Sequence, residues 1–282
     1  MKNIRFMTLL AVVFFTLATM SHAQSQKTEI NIYNPVLRSG KEMGKVKTDI
    51  ANMLSGKTTI YDKKNNLSGI PKDILVLDDR IEFKIKNQNT IIYFSDIIDD
   101  KILAQETNTI SAKNMYISCS AQILLNNFIF SFEGPLMMRK LACNRFEELK
   151  NYADDLYFIQ YQLREKRYKS QLVLFEPIAE QYRALKVKPP VSEELRKYIV
   201  QANSFNQQKM YDKAIELYNK AIELDQTAYP AAYSNLALLS AQVYKFDAAI
   251  YYMKKYLLLE PDASDARGAQ DKIYEWEAQI VK

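Results

Sequence analysis

The sequence predicts an α+β chain in which an N-terminal β-meander or small barrel, closed by a long amphipathic helix, is followed by an all-α helical-repeat domain. Three observations carry this expectation. From about Thr58 to Phe132 apolar residues recur at every second position, the period of a half-buried strand. From about Leu136 to Arg167 the spacing becomes that of a helix, with Met138, Ala142, Phe146, Leu149, Ala153, Leu156 and Leu163 on one stripe. Near the C-terminus, residues 210–225 (MYDKAIELYNKAIELD) and 245–262 (KFDAAIYYMKKYLLLEPD) are copies of one pattern, and Ala214 recurs as Ala249 after 35 residues.

The first 23 residues read as a secretory signal peptide. Lys2 and Arg5 precede the apolar run Met7 to Leu17, and Ser21-His22-Ala23 forms a small-x-small cleavage site before Gln24. The run is shorter than the roughly 20 residues that span a bilayer, so a transmembrane anchor is disfavoured. The expected destination is an exported compartment, with the bacterial periplasm as first choice and secretion as second.

Removal of this leader narrows the chemistry. The only histidine is His22, so a mature chain has no imidazole for a Ser-His-Asp or Cys-His nucleophile and lacks the commonest zinc ligand. Two cysteines cannot supply a four-thiolate zinc site, and no serine is followed three residues later by lysine. No cofactor and no metal are expected. Carboxylates are plentiful without any pair singled out, and an uncharacterised hydrolase is kept only as a minor alternative. Loss of Lys2 and Arg5 takes the formal charge from +5 to +3, and basic residues are interleaved with acids. That pattern is a solvated mixed-charge surface and not a nucleic-acid face.

Residues 24–57 are polar and uneven, with a helix expected from Lys41 to Leu54. Ala51 to Thr58 (ANMLSGKT) meets the relaxed form of a phosphate-binding loop. The mechanism needs a strand before the loop and a helix after it, whereas here a helix-like stretch precedes and β-branched residues follow, so the match is expected to be chance. Within 58–132, Ile81, Phe83 and Ile85 alternate with polar neighbours, as do Phe128, Phe130 and Phe132, and Asp78-Asp79 and Asn87-Gln-Asn89 mark turns.

Cys119 lies on the inward side of the alternating stretch 115–123 and Cys143 near the start of the long helix. An oxidising compartment permits a bridge between them, and two buried small side chains fit equally well.

The phrase RIEFKIKNQNTIIYFSDI and the closing helix RFEELKNYADDLYFIQ give residues 58–167 an order that resembles the bacterial pleckstrin-homology-like (PH/GRAM) domains. The resemblance implies a barrel capped by its helix and an alternative function as a membrane-surface or lipid-headgroup module. Its nearest basic cluster is Lys63-Lys64-Asn65-Asn66. A protein-binding or structural role is favoured for this domain, since fold alone carries no function.

Residues 168–190 read as a linker, a helix from Gln171 to Leu185 stopped at Pro189-Pro190. Ser192 is a candidate N-cap for the next helix. The domain boundary is expected there, leaving 191–282 as the repeat domain. Helical pairs at about 195–228 and 230–263 carry small residues at Ala202, Ala214, Ala221, Ala237 and Ala249. Large ones stand at Tyr198, Phe205, Tyr211, Tyr218, Tyr233, Leu236, Phe246 and Met253, with Pro261 closing the second pair. These positions resemble the tetratricopeptide repeat (TPR), with Gln226 replacing the family's proline in the first pair and Tyr256 its last small residue in the second. Residues 264–282 supply a capping helix through Ile273, Trp276 and Ile280.

The resemblance implies a peptide groove lined by the first helix of each repeat. It would be built from Arg196, Ile199, Asn203, Asn206 and Gln207, then Ser234, Asn235, Leu238 and Gln242. Asn203 and Asn235 match the asparagines with which heat-shock co-chaperone members grip a C-terminal carboxylate. Ile199, Asp265 and Ala269 stand where the cationic partners of that clamp belong. The reading is a non-catalytic protein-protein adaptor or scaffold of the cell envelope, with a protein or peptide partner and self-association as a second route to stability.

Overall fold

The computed structural model describes residues 27–55, 58–111, 116–134 and 141–280. The expected signal peptide lies outside them. Strands are β1 (Lys27–Tyr33), β2 (Thr58–Asp62), β3 (Leu67–Gly69), β4 (Lys72–Val76), β5 (Arg80–Ile85), β6 (Gln88–Tyr93), β7 (Leu103–Ser111), β8 (Tyr116–Leu124) and β9 (Phe128–Gly134). Helices are α1 (Met43–Ser55), α2 (Phe94–Ile97), α3 (Leu141–Ala184), α4 (Glu193–Gln207), α5 (Tyr211–Leu224), α6 (Ala231–Gln242), α7 (Phe246–Leu259) and α8 (Ala266–Ile280). The chain divides into two compact units, one of the residues up to Pro35 with Gly44–Leu156, the other of Val36–Met43 and the residues from Tyr157 on.

In the first unit the strands form two antiparallel sheets, ordered β1-β7-β8-β9-β2-β3 and β4-β5-β6. The expected meander is present as β4-β5-β6. The expected barrel is not: no closed barrel forms among the described residues. Each sheet ends at strands paired on one side only, and Pro71, which has no N–H to give a ladder, stands where the chain passes from one sheet to the other. Asp78-Asp79 makes the tight β4-β5 turn, closed by Leu77 N donating to Arg80 O at 2.9 Å or less (2.8 Å). The β5-β6 turn is Lys86-Asn87, both at positive φ (49° and 64°), as a two-residue hairpin of matching twist requires. β1 falls in the stretch expected to be polar and uneven. Its Thr28, Ile30 and Ile32 alternation is the signal that marks it.

The core of this unit is built by period. Ala104, Ile123, Phe130 and Ile60, one face of four neighbouring strands, are buried, as are Val46, Ile50, Met53 and Leu54 of α1 and Phe146, Leu149, Ala153 and Leu156 of α3. The two sheets approach closely at Gly69, where a Cβ would lie 2.8 Å from Ile85 Cγ2. α1 before and β2 after the loop-like stretch Ala51 to Thr58 put its elements in helix-then-strand order, opposite to a phosphate-binding loop. Gly56 and Lys57 themselves lie outside the described residues.

The helices expected at 136–167 and 171–185 are one helix, α3, running through 167–171 unbroken and containing Pro177. The division between units falls within it, between Leu156 and Tyr157, and not at Pro189-Pro190. The reason is packing. Phe175, Ala179 and Tyr182 of the expected linker are buried in one cluster with Tyr233, Met253, Tyr256 and Trp276. Lys188 ends α3 by donating to the carbonyl oxygens of Tyr182 (2.8 Å) and Arg183 (3.4 Å), a cation where the helix dipole is negative. Ser192 caps α4, its Oγ accepting from Leu195 N at 3.2 Å, with Glu193 and Glu194 in the first turn.

Candidate binding face of the helical repeats

Both helical pairs of the second unit are built alike. Ala202, Ala214, Ala221, Ala237 and Ala249 are buried where helices cross, and Tyr218, Tyr233 and Leu236 are wholly enclosed around them. Each pair turns the same way between its helices. Met210 N reaches Phe205 O and Lys245 N reaches Ser240 O, both at 2.9 Å, and the intervening Lys209 and Tyr244 sit at φ 59° and 61°. These are Schellman closures with a side chain where glycine is usual. Between the pairs, the Asp225 carboxylate accepts from Thr227 N, Thr227 Oγ1 and Ala228 N at 2.7–3.0 Å. Burial pushes its pKa up, but these donors outweigh burial and hold it below the ordinary value.

α3 covers the second-helix side of the second pair. Arg164 pairs with Asp247 at 2.6 Å, Tyr168 stacks on Tyr251 at 4.4 Å between centroids, Phe175 meets Tyr233 edge-on, and Tyr182 donates to Glu260 at 2.6 Å. The first-helix side carries the exposed polar residues. Arg196, Asn203, Asn206 and Gln207 recur at helical spacing along α4, and Asn235, Leu238 and Gln242 along α6. All of these are exposed except Asn235, which is half-buried.

One expected groove residue, Ile199, belongs elsewhere. Ile199 keeps 7% of its surface and packs in the core with Leu195 and Tyr218, because the helix turns it about 40° away from the stripe of Asn203. Ser234 turns its hydroxyl onto its own helix, donating to Ala231 O at 3.1 Å.

One residue not expected at this face organises it. The Tyr218 hydroxyl donates to Asn203 Oδ1 at 2.6 Å and accepts from Asn235 Nδ2 at 2.9 Å, joining the first helices of both pairs through the second helix of the first. A phenol has one hydrogen, so one amide gives it an oxygen and the other a nitrogen. The outer atoms are therefore complementary: Asn203 presents a donor and Asn235 an acceptor. Sequence reasoning had placed Tyr218 as a packing residue, and burial raises its pKa to about 12, keeping the phenol protonated.

The carboxylate-clamp positions hold no cation here. Ile199 and Ala269 are buried, and Asp265 accepts from the Tyr256 hydroxyl at 2.6 Å. In the first unit, Lys63 of the expected headgroup cluster is spent on the carbonyls of Leu125 (3.2 Å) and Asn126 (2.9 Å). Cys119 lies in β8, opposite Asn108, and Cys143 in α3. The side chains of both, and so their pairing, lie outside the described residues.

A search of curated proteins returns no match to this chain. A family model described as tetratricopeptide repeat matches residues 197–227, covering α4 from its second turn, α5 and the Asp225 turn. This repeat suggests a role in protein-protein interaction, and its family is typically non-catalytic. With the buried alanines, the paired helices and the family match in agreement, residues 197–227 form a tetratricopeptide repeat.

Proposed function

We propose that this chain is a non-catalytic adaptor of the bacterial cell envelope that holds an extended polypeptide on the first-helix face of two TPR units, the second being residues 230–263. The observation that carries the reading is the Asn203-Tyr218-Asn235 relay. An extended main chain offers alternating C=O and N–H groups, and the relay leaves one donor and one acceptor, fixed in place, to meet them. Leu238, 46% exposed beside Asn235, adds an apolar contact for a ligand side chain. With no cation at the clamp positions, the favoured ligand is an internal stretch of chain and not a free C-terminus. The envelope location rests on the leader-like pattern of residues 1–23.

The test is affinity capture from an envelope extract with the chain beside its Asn203→Ala/Gln207→Ala/Asn235→Ala variant. Proteins retained by the first and lost by the second support the reading, and identical eluates overturn it. Tyr218→Phe removes the relay while leaving every groove-facing atom in place. It is expected to weaken retention and to lower stability by about 1 kcal/mol.

A further inference from the structure

The outward face of the second half of α3 carries an apolar spot between charges of opposite sign. Val173 and Leu174 keep 69% and 72% of their surface exposed, whereas Phe175, Ala179 and Tyr182, on the other side of the same helix, are buried. At about 100° per residue, Lys166, Lys169, Glu176, Pro177 and Glu180 all project within about 60° of Val173, so one stripe holds them. Both lysines precede Val173 and both glutamates follow it. Lys169 pairs with Glu165 of its own helix at 2.7 Å and stays exposed. The side chains of Lys166, Glu176 and Glu180 make no hydrogen bond or ion pair among the described residues.

We propose that this stripe is a dimer interface, occupied by the same stripe of a second copy of this chain running antiparallel to it. The order of the charges selects both the occupant and its direction. A two-fold axis at Val173 lays each helix along the other in reverse, which sets Lys166 opposite Glu180 of the second copy and Lys169 beside its Glu176. Each pairing occurs twice, giving four ion pairs around two valines in contact. Pro177 falls against Ser170 of the second copy on the remaining side of the seam, with Leu174 flanking it. A parallel pairing would set lysine on lysine and glutamate on glutamate and is repelled. A self-complementary patch of this kind closes as a dimer and grows no further.

The contact covers about four turns of one helix, less than a standard interface, so the dimer is weak and held largely by its charges. Salt therefore loosens it. It uses none of the residues of the proposed peptide face, so each copy keeps its own. A dimer then carries two such faces, and a polypeptide with two binding stretches is held more tightly than by one face alone. The interface itself does not depend on the reading of that face.

The experiment is sedimentation velocity of the full chain over a concentration series at low ionic strength, repeated with added salt. The chain is expected to pass reversibly from monomer to dimer and to return to monomer in salt. Lys169→Glu and Glu176→Lys each bring like charges together twice and are expected to weaken the dimer about 10-fold or more. Both changes in one chain exchange the signs and should restore it. A merely structural effect would not give that recovery, because residues 169 and 176 lie about two turns apart on their own helix. Both positions are exposed, and circular dichroism checks that each variant keeps its fold. A chain that stays monomeric to about 1 mM, single variants that dimerise as tightly as the parent, or a double variant no tighter than the singles overturns the proposal.

Discussion

Arg164 Nε donates to Asp247 Oδ2 across 2.6 Å, and each side chain keeps only 11% of its surface exposed. The guanidinium also lies 5.5 Å from the Tyr157 ring centroid. A pair this enclosed is costly to break from one side, since the survivor keeps its charge and loses this counter-ion. Asp247→Asn or Arg164→Met alone is expected to destabilise the second unit by about 3–5 kcal/mol, and the double change to apolar residues of similar size by much less. Urea unfolding followed by circular dichroism checks this. A loss in the double variant equal to the sum of the two single losses would show that the pair is not coupled.

Gly69 meets Ile85, which is wholly buried and stiff at its branch point. Gly69→Ala is therefore expected to cost about 1–3 kcal/mol by overpacking. Combining it with Ile85→Ala, which clears the clash but opens a cavity, should give a loss smaller than the sum of the two singles. Additive losses would argue against contact between the sheets at this point.

The two Schellman closures make a graded comparison. Gly relieves the left-handed backbone strain at the cost of some unfolded-state entropy, so Lys209→Gly is expected to raise stability by about 0.5–1 kcal/mol. Tyr244→Gly should raise it less, because the Tyr244 ring meets Phe246 edge-on at 6.2 Å. Thermal melts of both variants decide. A loss at Lys209 would sink the argument from backbone strain.

Alkaline pH should unfold the second unit cooperatively. Burial pushes Tyr161, Tyr168, Tyr218 and Tyr256 up from 10.0 to about 12. These are raised folded-state values, so their contribution is fully present below the unfolded value near 10 and is lost as pH climbs from there toward 12. Lys255 acts with the opposite sign in a lower window. Its folded value lies below that of a free lysine, so stability rises with pH from about 8 upward until the unfolded amine also loses its proton. Urea midpoints should therefore be flat or rising to about pH 10 and fall steeply beyond it, with ionisation of these four tyrosines, followed ring by ring by NMR, appearing together with unfolding. Ionisation of these four near 10 in the folded chain would refute the burial argument.

Repeat geometry was legible because its determinants are local. Alanines at a fixed 35-residue separation and the Ser192 cap are read within one or two turns of helix, and α4 to α8 follow them. Sheet order was not legible. β1 pairs with β7, and β2 with β9, across some 70 residues of chain, and alternation tells which face of a strand is buried without naming its neighbour. The face of the repeats was read in outline from helical period. Ile199 was misplaced because a position four residues from Asn203 is close to, but not on, its stripe. Tyr218 was missed because a buried aromatic at a packing position looks the same in sequence whether or not its hydroxyl works.

The continuity of α3 has a consequence for anyone expressing a piece of this chain. A fragment started at the two prolines, where the sequence invites a cut, would lose Phe175, Ala179 and Tyr182 and expose Tyr233, Met253 and Tyr256 to water. Its insolubility would say nothing about the helical pairs themselves. Starting at Tyr157 keeps the covering half of α3, and with it Phe175, whose ring lies against Lys255, and Arg164, the partner of Asp247.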